Sequence, residues 1–358
     1  MLFQSEGPRK LSSALSNAML ALLWLGRINH GGNMMRAVLC KSYGGPEELV
    51  VEEVAKPIAG PGEVLIAVKA AALNFFDTLI IRNKYQYKPA LPFSPSAEIA
   101  GVVEAVGEGC ETLKPGDKVV AYLRWGGCRD YVVVAEEEAI LMPDGVAFEK
   151  AAGLMVTYGT TIYALKNRAN LQPGDTLAVL GAAGGVGQAA IEIGKLMGAR
   201  VIACASSEEK LDFCEQFGAD ERVNYLAQDL KPALKELTNG RGVDVVYDPV
   251  GGDLAEAALR ATTWYGRFLV VGFASGTITK MPLNLVMLKG VDVLGVFWGE
   301  AVIREPEEHA ANVRQLLDWV ANGDLVPHIH QTYSLEETPR ALVAIANREV
   351  KGKVIITP

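Results

Sequence analysis

Gly181-Ala182-Ala183-Gly184-Gly185-Val186-Gly187 is the sharpest chemical signal in this chain. It stands between a short apolar strand pattern, Thr176–Leu180, and a helical pattern from Val186 to Met197, with a second strand, Arg200–Cys204, close behind. A helix N-terminus offers unpaired N–H groups and the positive end of its dipole, a natural seat for a pyrophosphate. The backbone must come within hydrogen-bonding reach, so a Cβ at Gly184 or Gly185 would obstruct it, while Gly187 lets the helix lie close on the strand. A glycine turn alone is weak evidence, but between a strand and a helix inside a βαβ unit it points to a dinucleotide. The spacing departs from the common pattern, because Ala182 stands where the first glycine is expected.

Which dinucleotide binds turns on the end of the second strand. NAD-binding chains usually place Asp or Glu there, about 20 residues on, to accept hydrogen bonds from the ribose 2′-hydroxyl. Here the stretch reads Cys204-Ala205-Ser206-Ser207-Glu208-Glu209-Lys210. The acid is absent, Ala205 leaves room, Ser206 and Ser207 can bond a phosphate, and Lys210 brings positive charge. NADPH is the expected cofactor. Glu208 and Glu209 oppose that choice unless they point away along the helix, and Ser206 read simply as a helix cap would remove part of its support.

These residues need a scaffold, and the chain supplies two kinds of text. From Met35 to about Met142 it is β-rich and broken by turns such as Gly44-Gly45-Pro46 and Lys114-Pro115-Gly116-Asp117, as in an antiparallel barrel or sandwich. Near Ala151 the rhythm changes to buried strands alternating with helices, the mark of a doubly wound parallel sheet. Its strands are Thr176–Leu180, Arg200–Cys204, Arg222-Val223, Val243–Tyr247, Arg267–Val271 and Val291–Val296. A helix over Glu305–Asn322 carries Val313, Leu316, Leu317 and Val320 on one face, and a last strand, Lys353–Ile356, is expected to rejoin the first domain. No internal repeat or low-complexity tract interrupts this plan.

Composition limits the partners. A chain of 358 residues is too long for one ordinary core, and its formal charge of -8 argues against a broad nucleic-acid footprint. Five cysteines, Cys40, Cys110, Cys128, Cys204 and Cys214, form no C-x-x-C, which fits a reducing compartment and a cytoplasmic location. The apolar run Ala18–Leu25 is too short to span a bilayer, for which about 20 residues are needed. Residues 1–34 read as an extension, disordered or created by an over-long start, with an organelle-directing transit peptide as the alternative.

Several further motifs resemble the quinone oxidoreductase branch of the medium-chain dehydrogenase/reductase superfamily, the zinc-free relatives of alcohol dehydrogenase. They are Leu73-Asn74-Phe75-Phe76-Asp77, Pro92-Phe93-Ser94-Pro95 with Glu98-Ile99-Ala100-Gly101, Lys114–Val119, Val156-Thr157-Tyr158-Gly159-Thr160 and Tyr247–Gly252. The resemblance runs from Met35 to Pro358. It implies an α/β protein with a GroES-like catalytic domain over 35–155 and 299–358 and a Rossmann domain over 156–298.

Zinc-bearing members of that superfamily use Cys and His ligands. By resemblance those positions are Asn74 and Ala97 here, which leaves no metal site. The four histidines, His30, His309, His328 and His330, have no ligand spacing with the cysteines. Without a metal to stabilise an alkoxide, hydride delivery to a polarised acceptor is the easier chemistry, and quinones and conjugated carbonyls fit. The resemblance also implies a cleft in which nicotinamide faces Asn74 and Asp77, with Tyr85 close by. On that footing Asn74 is expected to orient the substrate or the nicotinamide amide, Tyr85 or water to donate the proton, and Thr157 to contact the nicotinamide. It places Asn224 and Tyr225 on the adenosine side, Phe273 and Ala274 toward the nicotinamide ribose, and Lys351 and Lys353 within reach of NADPH. The segment Leu288–Asp292 through Phe297-Trp298-Gly299 resembles the strand by which such enzymes pair into homodimers. The rival readings are a zinc-free enone or enoyl-thioester reductase and, from another class, a non-catalytic NADPH-binding redox sensor.

Overall fold

The structure is a computed structural model that describes residues 33–358. The extension expected over 1–34 lies outside the described residues except for Asn33 and Met34, and Met34 already begins a strand. The turn-rich first part folds into β1 (Met34–Cys40), β2 (Leu49–Ala55), β3 (Glu63–Leu73), β4 (Glu98–Val106), β5 (Lys118–Tyr122), β6 (Tyr131–Ala135) and β7 (Ala139–Leu141). β1 and β2 form an antiparallel pair, and β6 adds to the seven-stranded sheet by pairing with β3.

Six strands then alternate with helices: β8 (Thr176–Leu180), β9 (Arg200–Ala205), β10 (Glu221–Asn224), β11 (Val243–Asp248), β12 (Thr262–Val270) and β13 (Asp292–Gly295). Their spatial order is β10-β9-β8-β11-β12-β13, all parallel. This is the doubly wound Rossmann order, and its direction reverses between β8 and β11, where ligands sit beyond the carboxyl ends of the strands. Every residue of β8 and of β11 is buried, as helices on both faces require. In β12 the regular pairing begins at Arg267. Thr263–Gly266 bulge out of register between Thr262 and Arg267 and carry Trp264 and Tyr265 to the surface.

The chain then returns. β14 (Ile329–Ser334) and β15 (Lys353–Thr357) complete the first sheet in the order β14-β15-β3-β4-β5-β7. The β15–β3 register sets Val354 against Leu73, and the β3–β4 register sets Ala72 against Glu98. Asn74, Glu98 and Lys353 therefore arrive at one end of the sheet from three distant stretches of sequence. The helix Thr157–Ile162 runs on through a π turn, Tyr163–Arg168, and its Tyr158, Ile162 and Leu165 share a buried cluster with strand residues of both sheets. Lys166 and Asn167 at its end hydrogen-bond Asn312 on the helix Pro306–Asn322, whose Val313, Leu316 and Leu317 are buried.

Candidate active site

Asn74 follows β3 and caps the helix Phe75–Ile80, with its backbone N–H donating to Asp77 Oδ2 at 2.8 Å. The other oxygen of Asp77 accepts from the Ser96 N–H at 2.9 Å. Ser96 holds a left-handed φ of 70°, costly for a non-glycine residue, and its hydroxyl secures the turn by donating to Ala72 O and Glu98 O. Asp77 is wholly buried, and this lifts its carboxyl to about 7 against the lowering effect of the two N–H donors. Its geometry is that of a buttress for the turn bearing Asn74.

The Asn74 side chain meets a buried ion pair. Lys353 Nζ donates to Asn74 Oδ1 at 2.6 Å and to Glu98 Oε1 at 2.7 Å, while Asn74 Nδ2 donates to the same Oε1 at 2.8 Å. Glu98 Oε2 accepts from the Val156 N–H at 2.7 Å. The Lys353 and Glu98 side chains are 2% and 0% exposed, so each charge depends on the other. Lys353, which the resemblance sets within reach of NADPH, directs its ammonium to Asn74 and Glu98. Glu98 was visible only as a family marker, although a carboxylate in the apolar strand Glu98-Ile99-Ala100-Gly101 requires a partner.

An aromatic cluster stands near this group, with Asp77 close enough to Tyr85 to influence its phenol. Tyr85 stacks on Phe76 with centroids 5.1 Å apart and meets Tyr87 edge-on at 5.7 Å. Tyr87 also packs on Trp125 at 6.4 Å and, across the domain crease, on Phe297 at 6.2 Å. Burial first, then the neighbouring Tyr87 and Asp77, raise the Tyr85 phenol to about 12, which keeps it a neutral hydrogen-bond donor at neutral pH. Trp298 seats its indole on Gly159, where a Cβ would lie 2.9 Å from Cζ2, and meets Tyr122 edge-on at 4.7 Å.

The glycine turn lies at the switch point. Gly181 has φ +60°, and Gly184 caps the helix Gly185–Leu196 with its side facing solvent. A Cβ at Gly187 would fall 2.4 Å from Gly181 O, whereas one at Gly184 would meet only that oxygen, at 3.4 Å. A Cβ at Gly185 would press on Thr157 and Gly352. Ala183 is buried and Val186 half-buried beneath the turn. The open helix end and the space over Gly184 fit a pyrophosphate.

At the end of β9, Ser207 caps the next helix by accepting from the Lys210 N–H at 3.3 Å, and Lys210 Nζ donates to Ser206 Oγ at 3.4 Å. Tyr225 follows β10 beside Ser206. Both glutamates point away: Glu208 accepts from Arg222 and Asn224, and Glu209 pairs with Lys351. The side chains of Asn224 and Lys351 are thus held by the acids that would repel a phosphate. Phe273 and Ala274 follow β12, and Ala274 O accepts from Arg348 at 2.9 Å, a basic residue that the sequence reading missed.

Known proteins match this chain over most of its length. Residues 60–161 match the alcohol dehydrogenase GroES-like domain, and 185–322 match the zinc-binding dehydrogenase family. Quinone oxidoreductase-like protein 2 of Bos taurus is 37% identical over 327 residues, covering 91% of this chain and 93% of that protein. The quinone oxidoreductase of Pseudomonas aeruginosa is 34% identical, over 91% of this chain and all of its own length. The chain belongs to the quinone oxidoreductase-like branch of the zinc-type alcohol dehydrogenase superfamily. The crystal structure of Escherichia coli quinone oxidoreductase complexed with NADPH is similar over 90% of this chain and 100% of its own, with TM-score 0.83 and 29% identity.

The zinc in the superfamily's name does not fit this member's donor set. Asn74 is committed to a lysine and a glutamate, Ala97 has no donor, and an ammonium already neutralises Glu98. Among the described residues no three His, Cys, Asp or Glu side chains gather as a metal cluster. His328 packs edge-on against Phe213 at 5.0 Å, and His309 against Trp298 at 5.5 Å. Among the described residues no helix is long and apolar enough to cross a membrane.

Proposed function

We propose that this protein reduces quinones, or other conjugated carbonyls, with NADPH and without a metal ion. The observation that carries the reading is the buried group in which Asn74 is held by Lys353 and Glu98 at 2.6–2.8 Å, taken as the floor of the substrate cleft. An amide N–H is donor enough for an acceptor that is already conjugated, because it meets the enolate or phenolate charge as it develops. Oxidising an alcohol would demand a base or metal at the same place, and the floor offers a neutral amide and a paired carboxylate instead. The aromatic wall of Phe76, Tyr85 and Tyr87 gives a flat acceptor a surface to stack on, and the Tyr85 hydroxyl, or water, returns the proton.

NADPH supplies the hydride when bound. The turn Gly181–Gly187, through Ala183, Gly184, Gly185 and Val186, would hold its pyrophosphate, with Ser206, Ser207 and Lys210 on the 2′-phosphate. Asn224 and Tyr225 flank the adenosine, while Thr157, Phe273 and Ala274 flank the nicotinamide half, and Lys351 closes the phosphate side. The NADPH named in the Escherichia coli structure supports this choice. The five cysteines are unpaired, four of them buried, in keeping with the cytoplasm. A homodimer is supported by the edge strand β13 and by exposed Trp264, Tyr265, Leu283, Met287 and Leu288 near it. Sedimentation at micromolar concentration tests it, and a purely monomeric mass would end the idea.

The deciding assay follows NADPH oxidation against quinones, enones and enoyl thioesters, with NADH as control. Quinone turnover with a preference for NADPH is expected. Turnover of enones alone would transfer the assignment to an enone reductase. NADPH binding with no acceptor turned over would favour the sensor.

A further inference from the structure

The floor of the cleft holds more information than its residue types. Lys353 follows Asn74 by 279 positions, yet the β15–β3 register brings the two side by side. The lysine stem passes Gly153 and Gly185: Cγ lies 3.2 Å from where a Cβ on Gly153 would be, and Cδ 3.7 Å from one on Gly185. The nucleotide turn and the substrate-facing amide are therefore joined by one buried side chain.

An amide has two faces that differ only in which atom accepts and which donates. An ammonium has protons and no lone pair to offer, so the Asn74 atom facing Lys353 must be oxygen. An ionised carboxylate only accepts, so the atom facing Glu98 must be nitrogen. Rotating the amide by half a turn would set NH2 against NH3+ and oxygen against carboxylate, breaking both bonds at once. Glu98 cannot turn to accommodate it, because Oε2 is held by the Val156 N–H. Among the described residues Asn74 Nδ2 donates to Glu98 alone, which uses one of its two hydrogens.

We propose that Lys353 and Glu98 are positioning residues that lock the Asn74 amide in one orientation, so that the group left for the acceptor is its second N–H. This rests on the reading of Asn74 as the group facing the substrate. Because the lysine and glutamate charges cancel, the floor presents a hydrogen-bond donor without net charge, which suits a neutral flat carbonyl better than a carboxylate. Lys353 touches neither acceptor nor hydride. It acts through Asn74.

The test compares wild type with Lys353→Met and Lys353→Arg. NADPH affinity is read from nicotinamide fluorescence, kcat with the best acceptor of the wild type, and Asn74 amide exchange by NMR of protein labelled with 15N-asparagine. The expectation is a fall of at least 20-fold in kcat for Lys353→Met with NADPH affinity changed less than 3-fold, and at least 5-fold recovery in Lys353→Arg. One slowly exchanging Asn74 proton in wild type should become two rapidly exchanging ones in Lys353→Met. A kcat within 2-fold of wild type with the exchange pattern unchanged overturns the proposal. So does a 10-fold loss of NADPH affinity with saturated kcat intact, which would make Lys353 a cofactor ligand. If Lys353→Met fails to fold because Glu98 is left unpaired, the double variant Lys353→Met with Glu98→Gln removes both charges and is read the same way. A wild type that reduces enones and no quinone ends the quinone reading but leaves this comparison intact, and the exchange measurement requires no turnover at all.

Discussion

The Tyr158 hydroxyl donates to Glu192 Oε2 at 2.6 Å, joining the helix that starts at Thr157 to the helix that starts at the nucleotide turn. Gln188 donates to the same oxygen, and the Val326 N–H, from the returning chain, donates to Oε1. Burial dominates these bonds and raises Glu192 from 4.5 to about 7. In the unfolded chain the carboxyl ionises at its ordinary value, so between 4.5 and 7 the folded state holds the extra proton. The contribution of Glu192 to stability is complete below 4.5 and is lost as pH rises through 7, by roughly 3 kcal/mol at most. Glu192→Gln should flatten the fall in unfolding free energy across this range, measured by urea titration at several pH values. An unchanged slope would mean that another group is responsible; Asp77, raised in the same direction, is the first to examine.

Trp298 and Gly159 make a steric pair. A methyl at 159 would sit 2.9 Å from the indole, and Trp298 is already boxed in by Tyr122 and His309. Gly159→Ala should destabilise by about 1–3 kcal/mol despite the better helix propensity of alanine. Trp298→Phe leaves space for that methyl, so the two changes should be strongly non-additive in a double-mutant cycle of urea midpoints.

Gly184 and Gly187 should fail in different ways. The Gly187 Cβ would collide with backbone at 2.4 Å, so Gly187→Ala is expected to lower thermal stability as well as NADPH affinity. Gly184→Ala meets only Gly181 O at 3.4 Å, leaving the fold intact while the methyl intrudes on the phosphate seat. A melting temperature near that of wild type, together with at least a 10-fold loss of NADPH affinity, is the expected signature.

Lys210, if it meets the 2′-phosphate as proposed, should separate the two cofactors. With Glu208 and Glu209 tied to other cations and Asn224, Lys210→Ala should raise KM for NADPH about 10-fold, the effect of one charge-assisted contact, and leave KM for NADH nearly unchanged. Equal effects on both would place Lys210 away from the 2′-phosphate.

Local pattern made much of this protein legible. The all-apolar β8 and the glycines after it depend on neighbours in sequence, and a reader of residues can see neighbours. The helix cap, read at Ser206, falls one residue later at Ser207. The direction of the Lys353 side chain could not be seen, because it follows from a strand register joining stretches nearly the whole chain apart. The bulge at Thr263–Gly266 escaped notice for the opposite reason: its aromatic residues suit a strand, and only the pairing of Thr262 with Val243 and Arg267 with Val245 expels them. That Lys210 turns to Ser206 while Arg222 and Lys351 bond the two glutamates is likewise a tertiary fact.

The strand β15 has a consequence for synthesis. On the ribosome the glycine turn and its helix emerge long before Lys353, so Asn74 and the buried Glu98 await their cation until the last strand is made. If Asn74 serves the acceptor as proposed, catalytic competence would arrive late in translation, and a chain released before that strand is made would lack a finished place to spend electrons.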